Sequence, residues 1–142
     1  MLDNKLDLPC NISSSDDYLI FLTLYNQRMI KLIDVYRLKE QVHLESDYDL
    51  FHDMVRQLDA DVKRMFNGAV SERIDFADSL QCIGIMSGLN SCSAEDVQRA
   101  HARGLKVSLF GVFNAEDAEN AISKSPDFII TDDIRATQDL LN

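Results

Sequence analysis

The sequence has 142 residues, 46% apolar and 27% charged, with two prolines and five glycines. This composition is typical of one globular domain and excludes a fibre or a disordered tail. No run of about 18 apolar residues occurs, so we predict no membrane span. Fourteen Lys and Arg against 24 Asp and Glu give a net charge of -10. Such a surface repels polyanions, so nucleic acid is not an expected partner.

The three cysteines, Cys10, Cys82 and Cys92, are odd in number and form no C-x-x-C pair. We therefore predict neither a disulfide framework nor a zinc site, and a reducing, cytoplasmic location fits this pattern. The N-terminal residues lack a basic region followed by an apolar core, which argues against a secretory signal in this sequence.

Residues 1–13 contain Pro9 and no apolar period, and we expect an N-terminal arm before a single domain over 14–142. Ser14 is a candidate N-cap, with Asp17 in the first turn. Apolar residues then recur every three or four positions up to Tyr36, which predicts a helix over about 17–39. Residues 18–25 would also suit a strand, but a helix is the favoured interpretation.

Beyond this helix, short apolar runs alternate with amphipathic stretches. Strands are predicted over 42–46, 62–66, 80–86, 106–112 and 128–131. Helices are predicted over 48–58, 94–103, 115–123 and 134–141, and residues 71–78 are a short helix or turn. Ser93 is the expected cap and Gly104 the expected end of the 94–103 helix. About five strands separated by helices predict an α/β fold of parallel β/α units. An open doubly wound sheet and part or all of a closed barrel both fit this pattern.

Three phrases near the C-terminus are more specific: AHARGLKV at 100–107, SLFGVFN at 108–114 and SPDFIITD at 125–132. They resemble the last two barrel strands of glycerophosphodiester phosphodiesterases, which typically read A-H-x-x-G-L-x-V, x-x-W-T-V-N and x-D-G-I-I-T-D. The phrase VHLESD at 42–47 resembles the fourth strand of that family. Over about 18–135, the resemblance implies strands four to eight of a (β/α)8 barrel. This is a partial TIM barrel, which association between copies would complete.

The resemblance also implies a function, namely metal-dependent hydrolysis of glycerophosphodiesters in lipid metabolism, with Mg²⁺ or Ca²⁺ as the cofactor of an active member. The family's His-Arg, Glu-x-Asp and Glu-x-Lys motifs match no position of this sequence. We therefore assign no catalytic residue and predict a phosphodiesterase-like chain that is incomplete or degenerate as an enzyme. The alternative is a noncatalytic binding or assembly module built on the partial barrel.

Candidate pocket residues for a small phosphodiester are those that match the ends of the family's strands: Ser46, Phe110, Phe113, Asn114, Thr131 and Asp132. Phe110, Gly111 and Phe113 stand where the family has Trp, Thr and Asn, so this strand end is less polar than in the family.

Glu45 and Asp47 are candidate metal ligands, with His43 on the same face of the predicted strand. A solvated strand edge is the alternative interpretation of these three residues. His52 and Asp53 lie inside an amphipathic helix, where we expect a solvated face.

Four further residues or pairs have structural expectations. We expect His101 to have a structural role near the end of its helix. The Asp132–Asp133 pair is expected to cap the last helix or to bind a cation. Cys82 and Cys92 are expected to be buried, unreactive thiols.

A partial barrel leaves unpaired strand edges, here expected around 42–46 and 128–131. The apolar segment 18–36 would shield one sheet face or form a contact. We therefore expect a homodimer or higher homo-oligomer that buries this segment. The alternative is a monomer in which residues 1–40 fold back over the open sheet.

Overall fold

The computed structural model describes residues 2–3 and 14–141 of the chain. The strands are β1 (Leu2–Asp3), β2 (Leu44–Ser46), β3 (Arg64–Asn67), β4 (Gly84–Gly88), β5 (Lys106–Val112) and β6 (Phe128–Thr131). The helices are α1 (Ser15–Val35), α2 (Asp49–Leu58), α3 (Val70–Ser79), α4 (Ala94–His101), α5 (Ala115–Ser123) and α6 (Ile134–Leu141). None of the helices in this part of the chain has both the length and the apolar character that crossing a bilayer requires.

The chain divides into two compact units, residues 1–64 (unit 1) and residues 65–142 (unit 2). That 14–142 acts as a single domain stays a prediction. Within the predicted arm, residues 2–3 form β1, which pairs in parallel with Leu44 and Glu45 of β2. Residues 4–13 of the arm, including Cys10, lie outside the described residues.

Unit 1 is organised around α1. The Ser14 hydroxyl accepts a hydrogen bond from the backbone N–H of Asp17 at 3.1 Å, which confirms the predicted N-cap. The helix buries an apolar stripe against β2, α2 and the residues before β3: Leu22, Ile30 and Ile33 pack with Leu44, Phe51, Val55 and Val62. The helical interpretation of residues 18–25 is therefore correct, because they lie within α1 and Leu22 packs in this core.

Unit 2 is a run of parallel β/α units. Its strands β3, β4, β5 and β6 pair in chain order, and each pair is parallel. The register places Phe66 beside Ile85 and Ile85 beside Val107. These three side chains belong to one core, which α3, α4 and α5 complete through Ile74, Val97 and Ala118 among others. The predicted alternation of parallel strands and helices is confirmed, and β5, α5, β6 and α6 have the predicted bounds.

Helix α1 ends earlier than predicted, and strand β4 begins later than predicted. Helix α1 ends at Val35, and not near residue 39, because Arg37 adopts a left-handed φ of 55°. The N–H groups of Arg37 and Leu38 then donate to the carbonyls of Asp34 and Ile33, which closes the last turn. Gln81, also at φ 55°, closes α3 in the same way. The strand expected from Leu80 therefore begins at Gly84.

Strand β5 contains a bulge. Leu109 pairs with Ile129 and Val112 pairs with Thr131, so β5 spans three steps where β6 spans two. Gly111 lies inside the bulge with φ 82°, a conformation that favours glycine. Because of the extra residue, Leu109 and Val112 both point into the same core. Phe110 stays half-exposed, and Phe113 beyond the strand is exposed.

Candidate functional site

In unit 1, the carboxyl end of β2 is tied to α2. Ser46 is buried, and its hydroxyl accepts from the backbone N–H of Tyr48 at 3.1 Å. The Nε2 of His52 lies 2.8 Å from the Ser46 carbonyl oxygen. A carbonyl only accepts, so Nε2 donates the proton. Burial lowers the pKa of His52, which keeps the imidazole neutral.

The expected solvated position of His52 is therefore wrong. His52 is fully buried and makes an edge contact with Phe51, whose ring centroid is 5.3 Å away. The signal was present in the sequence, because His52 lies on the same helical stripe as Val55 and shares its buried side of α2. Asp53 does face outward, where it pairs with Arg56 at 2.7 Å.

Arg64 is a buried cation that the sequence analysis overlooked. Its Nη1 donates to the His52 carbonyl at 2.9 Å, and its Nε donates to the Val62 carbonyl at 3.4 Å. Its charge also contributes to the lowered pKa of His52. The available signal was its place in an apolar strand run, next to Lys63, where alternation puts the two basic side chains on opposite faces. Within unit 1, Arg64, His52 and Ser46 form a buried polar chain that ties α2 to β2.

The predicted metal ligands have unequal surroundings. Glu45 is fully buried in β2, whereas Asp47 just after the strand is exposed and His43 is half-buried. Within residues 14–141, no three His, Cys, Asp or Glu side chains converge in a way that could hold a metal ion. The described residues therefore do not complete a divalent-cation site, and the Glu45–Asp47 pair stays a prediction.

In unit 2, the carboxyl ends of β5 and β6 lie side by side. Val112 pairs with Thr131, and the backbone N–H of Asp132 donates to the Val112 carbonyl at 3.0 Å. The structure thus brings the candidates Phe110, Phe113, Asn114, Thr131 and Asp132 to one edge. Ser46 belongs to unit 1.

The polar candidates at this edge mostly hold local structure. The Asn114 side chain caps α5 by accepting from the Asp117 N–H at 3.0 Å. The Thr131 hydroxyl accepts from the Asp133 N–H at 3.0 Å. Asp133 caps α6 by accepting from the Ala136 N–H at 2.9 Å. Of the two roles expected for the Asp132–Asp133 pair, this is helix capping. The Asp132 carboxylate is exposed.

The apolar candidates form a wall at the same edge. The Phe110 ring lies over Gly88 of the neighbouring strand, and 37% of the side chain is exposed. Phe113 is 65% exposed. Segments 113–117 and 131–135 add four carboxylates, Glu116, Asp117, Asp132 and Asp133, against one basic residue, Arg135. This edge therefore combines exposed aromatic rings with a negative field.

A groove of ≈ 520 Å³ lies beside the outer strand β6. It is lined mainly by apolar side chains of β6 and α6, among them Ile129, Ile130, Ile134 and Leu141, with Thr131 at the strand end. Thr131 is therefore both a lining residue of the groove and one of the pocket candidates.

His101 and the cysteines have the expected structural surroundings. His101 is the last residue of α4, and its Nε2 lies 2.9 Å from Oδ2 of Asp127. The same carboxylate oxygen accepts from the Val107 N–H at 2.8 Å. Cys82 and Cys92 are buried and unpaired with each other. Burial raises the pKa of the Cys92 thiol to about 11, so the thiolate is scarce at neutral pH.

Several solved structures share the fold of this chain. A protein of Silicibacter pomeroyi assigned as a glycerophosphoryl diester phosphodiesterase superposes with a TM-score of 0.80 and 18% identity, covering 86% of this chain and 44% of its own. A Galdieria sulphuraria protein assigned as a glycerophosphodiester phosphodiesterase gives a TM-score of 0.75 and 19% identity, covering 91% and 52%. The fold is that of part of a glycerophosphodiester phosphodiesterase.

A third solved structure adds a bound molecule. An Oleispira antarctica phosphodiesterase in complex with the product sn-glycerol-3-phosphate has a TM-score of 0.63 and 18% identity, covering 70% of this chain and 41% of its own. This chain thus spans about half the length of these proteins. No protein-family model and no curated protein matches the sequence. The predicted resemblance and the predicted class, parallel β/α units of a partial TIM barrel, are confirmed for the fold.

Proposed function

We propose that this chain is a glycerophosphodiester phosphodiesterase-like protein that binds a small phosphodiester at the edge formed by the ends of β5 and β6. The observation that supports this most strongly is the adjacency of Thr131, Asp132 and Phe113 at the carboxyl ends of two paired parallel strands. In barrels of this kind, ligands bind at that end of the strands.

The charge of the edge implies a requirement for a cation. A phosphodiester carries a negative charge, and at this edge it would approach four carboxylates and one basic residue, Arg135. A divalent cation, Mg²⁺ or Ca²⁺, would remove this repulsion when bound. The exposed Asp132 carboxylate is the residue that we assign to cation contact, because Asp133 and Asn114 are engaged in helix caps.

Hydrolysis by this chain alone is expected to be lost or incomplete. The only buried imidazole in residues 14–141 is that of His52, and it donates its Nε2 proton to the Ser46 carbonyl. A general acid or base must be able to reach a substrate oxygen, and this imidazole is engaged with a main-chain carbonyl. Our proposal is therefore cation-dependent phosphodiester binding without turnover by the purified chain.

Calorimetric titration with glycerophosphocholine tests this proposal. We expect binding in the presence of Mg²⁺ or Ca²⁺ and none in EDTA. Asp132→Asn should weaken cation-dependent binding about tenfold, as expected for one lost charged contact. Asp139→Asn removes the same charge from the exposed side of α6 and should change nothing. Equal effects of the two substitutions would overturn the assignment of Asp132.

A second candidate function, a noncatalytic assembly module, is favoured by the apolar surface of α1. Exposed leucine, isoleucine, valine and tyrosine side chains follow this helix. We propose that the chain associates with itself through α1, and sedimentation of the purified chain at micromolar concentration tests this. A mass that stays near 16 kDa on concentration would contradict it. The proposal includes the cytoplasmic location that the cysteine pattern favours.

A further inference from the structure

Helix α1 has apolar side chains on both sides. One side packs in the core of unit 1 through Leu22, Ile30 and Ile33. The rest of the helix surface exposes five large apolar side chains: Ile20, Leu24, Tyr25, Leu32 and Val35. Neighbouring exposed apolar side chains of this kind commonly mark an interaction surface. The outward side of α1 therefore fits an interface.

The outward side is arranged symmetrically about Leu24. Ile20 and Arg28 lie four residues before and after Leu24, and Asp17 and Lys31 lie seven residues before and after it. At about 3.6 residues per turn, these five positions share one side of the helix. The positions seven residues from the centre thus have opposite charges.

We propose that two copies of this chain pair through α1 in antiparallel orientation, with Leu24 at the two-fold axis. This inference deepens the self-association proposed above and rests on it. A two-fold interface needs a surface that is complementary to itself. In antiparallel pairing, Asp17 of each copy meets Lys31 of the other, and Ile20 packs on the aliphatic stem of Arg28.

Charge complementarity distinguishes this arrangement from its alternatives. Parallel pairing would set Lys31 against Lys31 and Asp17 against Asp17, which repel each other. An anionic membrane surface would be repelled by a chain of net charge -10. A second copy in antiparallel orientation covers the apolar side chains around Leu24 and also places each Asp17 opposite a Lys31.

Charge exchange in the full chain tests the orientation. The dissociation constant of the dimer is measured by sedimentation equilibrium for Asp17→Lys, Lys31→Asp and the double variant. Each single variant should dissociate at least about tenfold more readily, because two ion pairs become two like-charge contacts. The double variant restores opposite charges and should return to within about threefold of the wild-type dissociation constant.

Asp16→Lys is the matched control, since Asp16 shares the first turn of α1 with Asp17 but lies off the stripe. It should leave the dimer unchanged, and circular dichroism verifies the helix content of every variant. A wild-type dimer that tolerates Asp17→Lys, or a double variant as weak as the single ones, would overturn the antiparallel α1 interface while leaving self-association intact. A wild-type monomer would overturn both, and neither result bears on phosphodiester binding.

Discussion

The imidazole of His52 donates its Nε2 proton to the main-chain carbonyl of Ser46 across 2.8 Å. This bond joins a helix to the last residue of the preceding strand, next to the buried Glu45. The imidazole thus acts as a buried, neutral connector. Its neutrality makes the stability of the fold depend on pH.

We predict that stability falls as the pH drops through and below 6.5. Burial holds the folded-state pKa of His52 under its ordinary value of 6.5, so the unfolded chain binds a proton that the folded chain does not. The stabilisation that comes from the neutral His52 imidazole is fully present above pH 6.5. On acidification the free energy of unfolding falls by at most about 1.4 kcal/mol per pH unit from this cause. Urea unfolding at pH 7 and pH 5.5 measures it.

His52→Gln should be less stable than wild type at pH 7 by about 1–3 kcal/mol, because a buried hydrogen bond is disturbed. It should also lose less stability between the two pH values. His101→Gln leaves His52 in place and should keep the wild-type loss. An unchanged pH dependence in His52→Gln would contradict this role.

Glycine is required at position 84 and not at position 88. A Cβ at Gly84 would collide with the carbonyl oxygen of Lys106 in the neighbouring strand. At Gly88 the nearest atom would be the Ser91 hydroxyl oxygen at 3.6 Å, an ordinary contact. We predict that Gly84→Ala destabilises unit 2 by about 3 kcal/mol or more and Gly88→Ala by less than about 1 kcal/mol. Thermal unfolding of the pair measures the difference, and equal losses would be inconsistent with the strand spacing.

Substitution of Gln81 by glycine should stabilise the protein. Gln81 ends α3 with φ 55°, a conformation that costs a residue with a side chain about 1 kcal/mol relative to glycine. We expect Gln81→Gly to gain about 0.5–1 kcal/mol in chemical unfolding. Gln98→Gly, inside α4, is the control, and we expect it to lower the free energy of unfolding by about 0.5–1 kcal/mol. A loss in both variants would contradict the left-handed cap.

Elements with regular periodicity, side-chain caps or a terminal glycine could be predicted from the sequence, whereas left-handed helix ends at other residues could not. Ser93 and Asp96 form a reciprocal capping box at α4, and Gly104 at φ 74° follows that helix. Arg37 and Gln81 adopt the same left-handed conformation as Gly104 without being glycine, so the end of α1 and the start of β4 differ from the prediction. The bulge at Gly111 was also invisible, since its signal is the pairing with β6.

The candidate site was predictable at the level of strand ends. The resemblance identified Phe113, Thr131 and Asp132, and parallel pairing of β5 and β6 places them at one edge. Burial of the polar residues could not be foreseen in the same way. Arg64 and His52 are buried because they bond to main-chain carbonyls, and those partners depend on tertiary contacts.

The two buried cysteines should resist modification in the folded protein. The pKa of Cys92 is raised to about 11 by burial, and the thiol contacts the Ser93 carbonyl at 3.5 Å. In a Cys10→Ser background, we expect iodoacetamide at pH 8 to label neither Cys82 nor Cys92 until urea unfolds the chain. Mass spectrometry counts the labels. Labelling of Cys92 at the rate of an exposed thiol would contradict the buried environment.

One ³¹P NMR titration tests both cation-dependent phosphodiester binding and the absence of turnover. Glycerophosphocholine is mixed with the purified chain, first in EDTA and then with Ca²⁺ or Mg²⁺, with the Asp132→Asn chain as reference. We predict that the phosphodiester resonance broadens only with cation and only with the wild-type Asp132, and that no phosphomonoester resonance grows. A growing sn-glycerol-3-phosphate resonance, or an unchanged phosphodiester resonance with cation present, would contradict the proposed function.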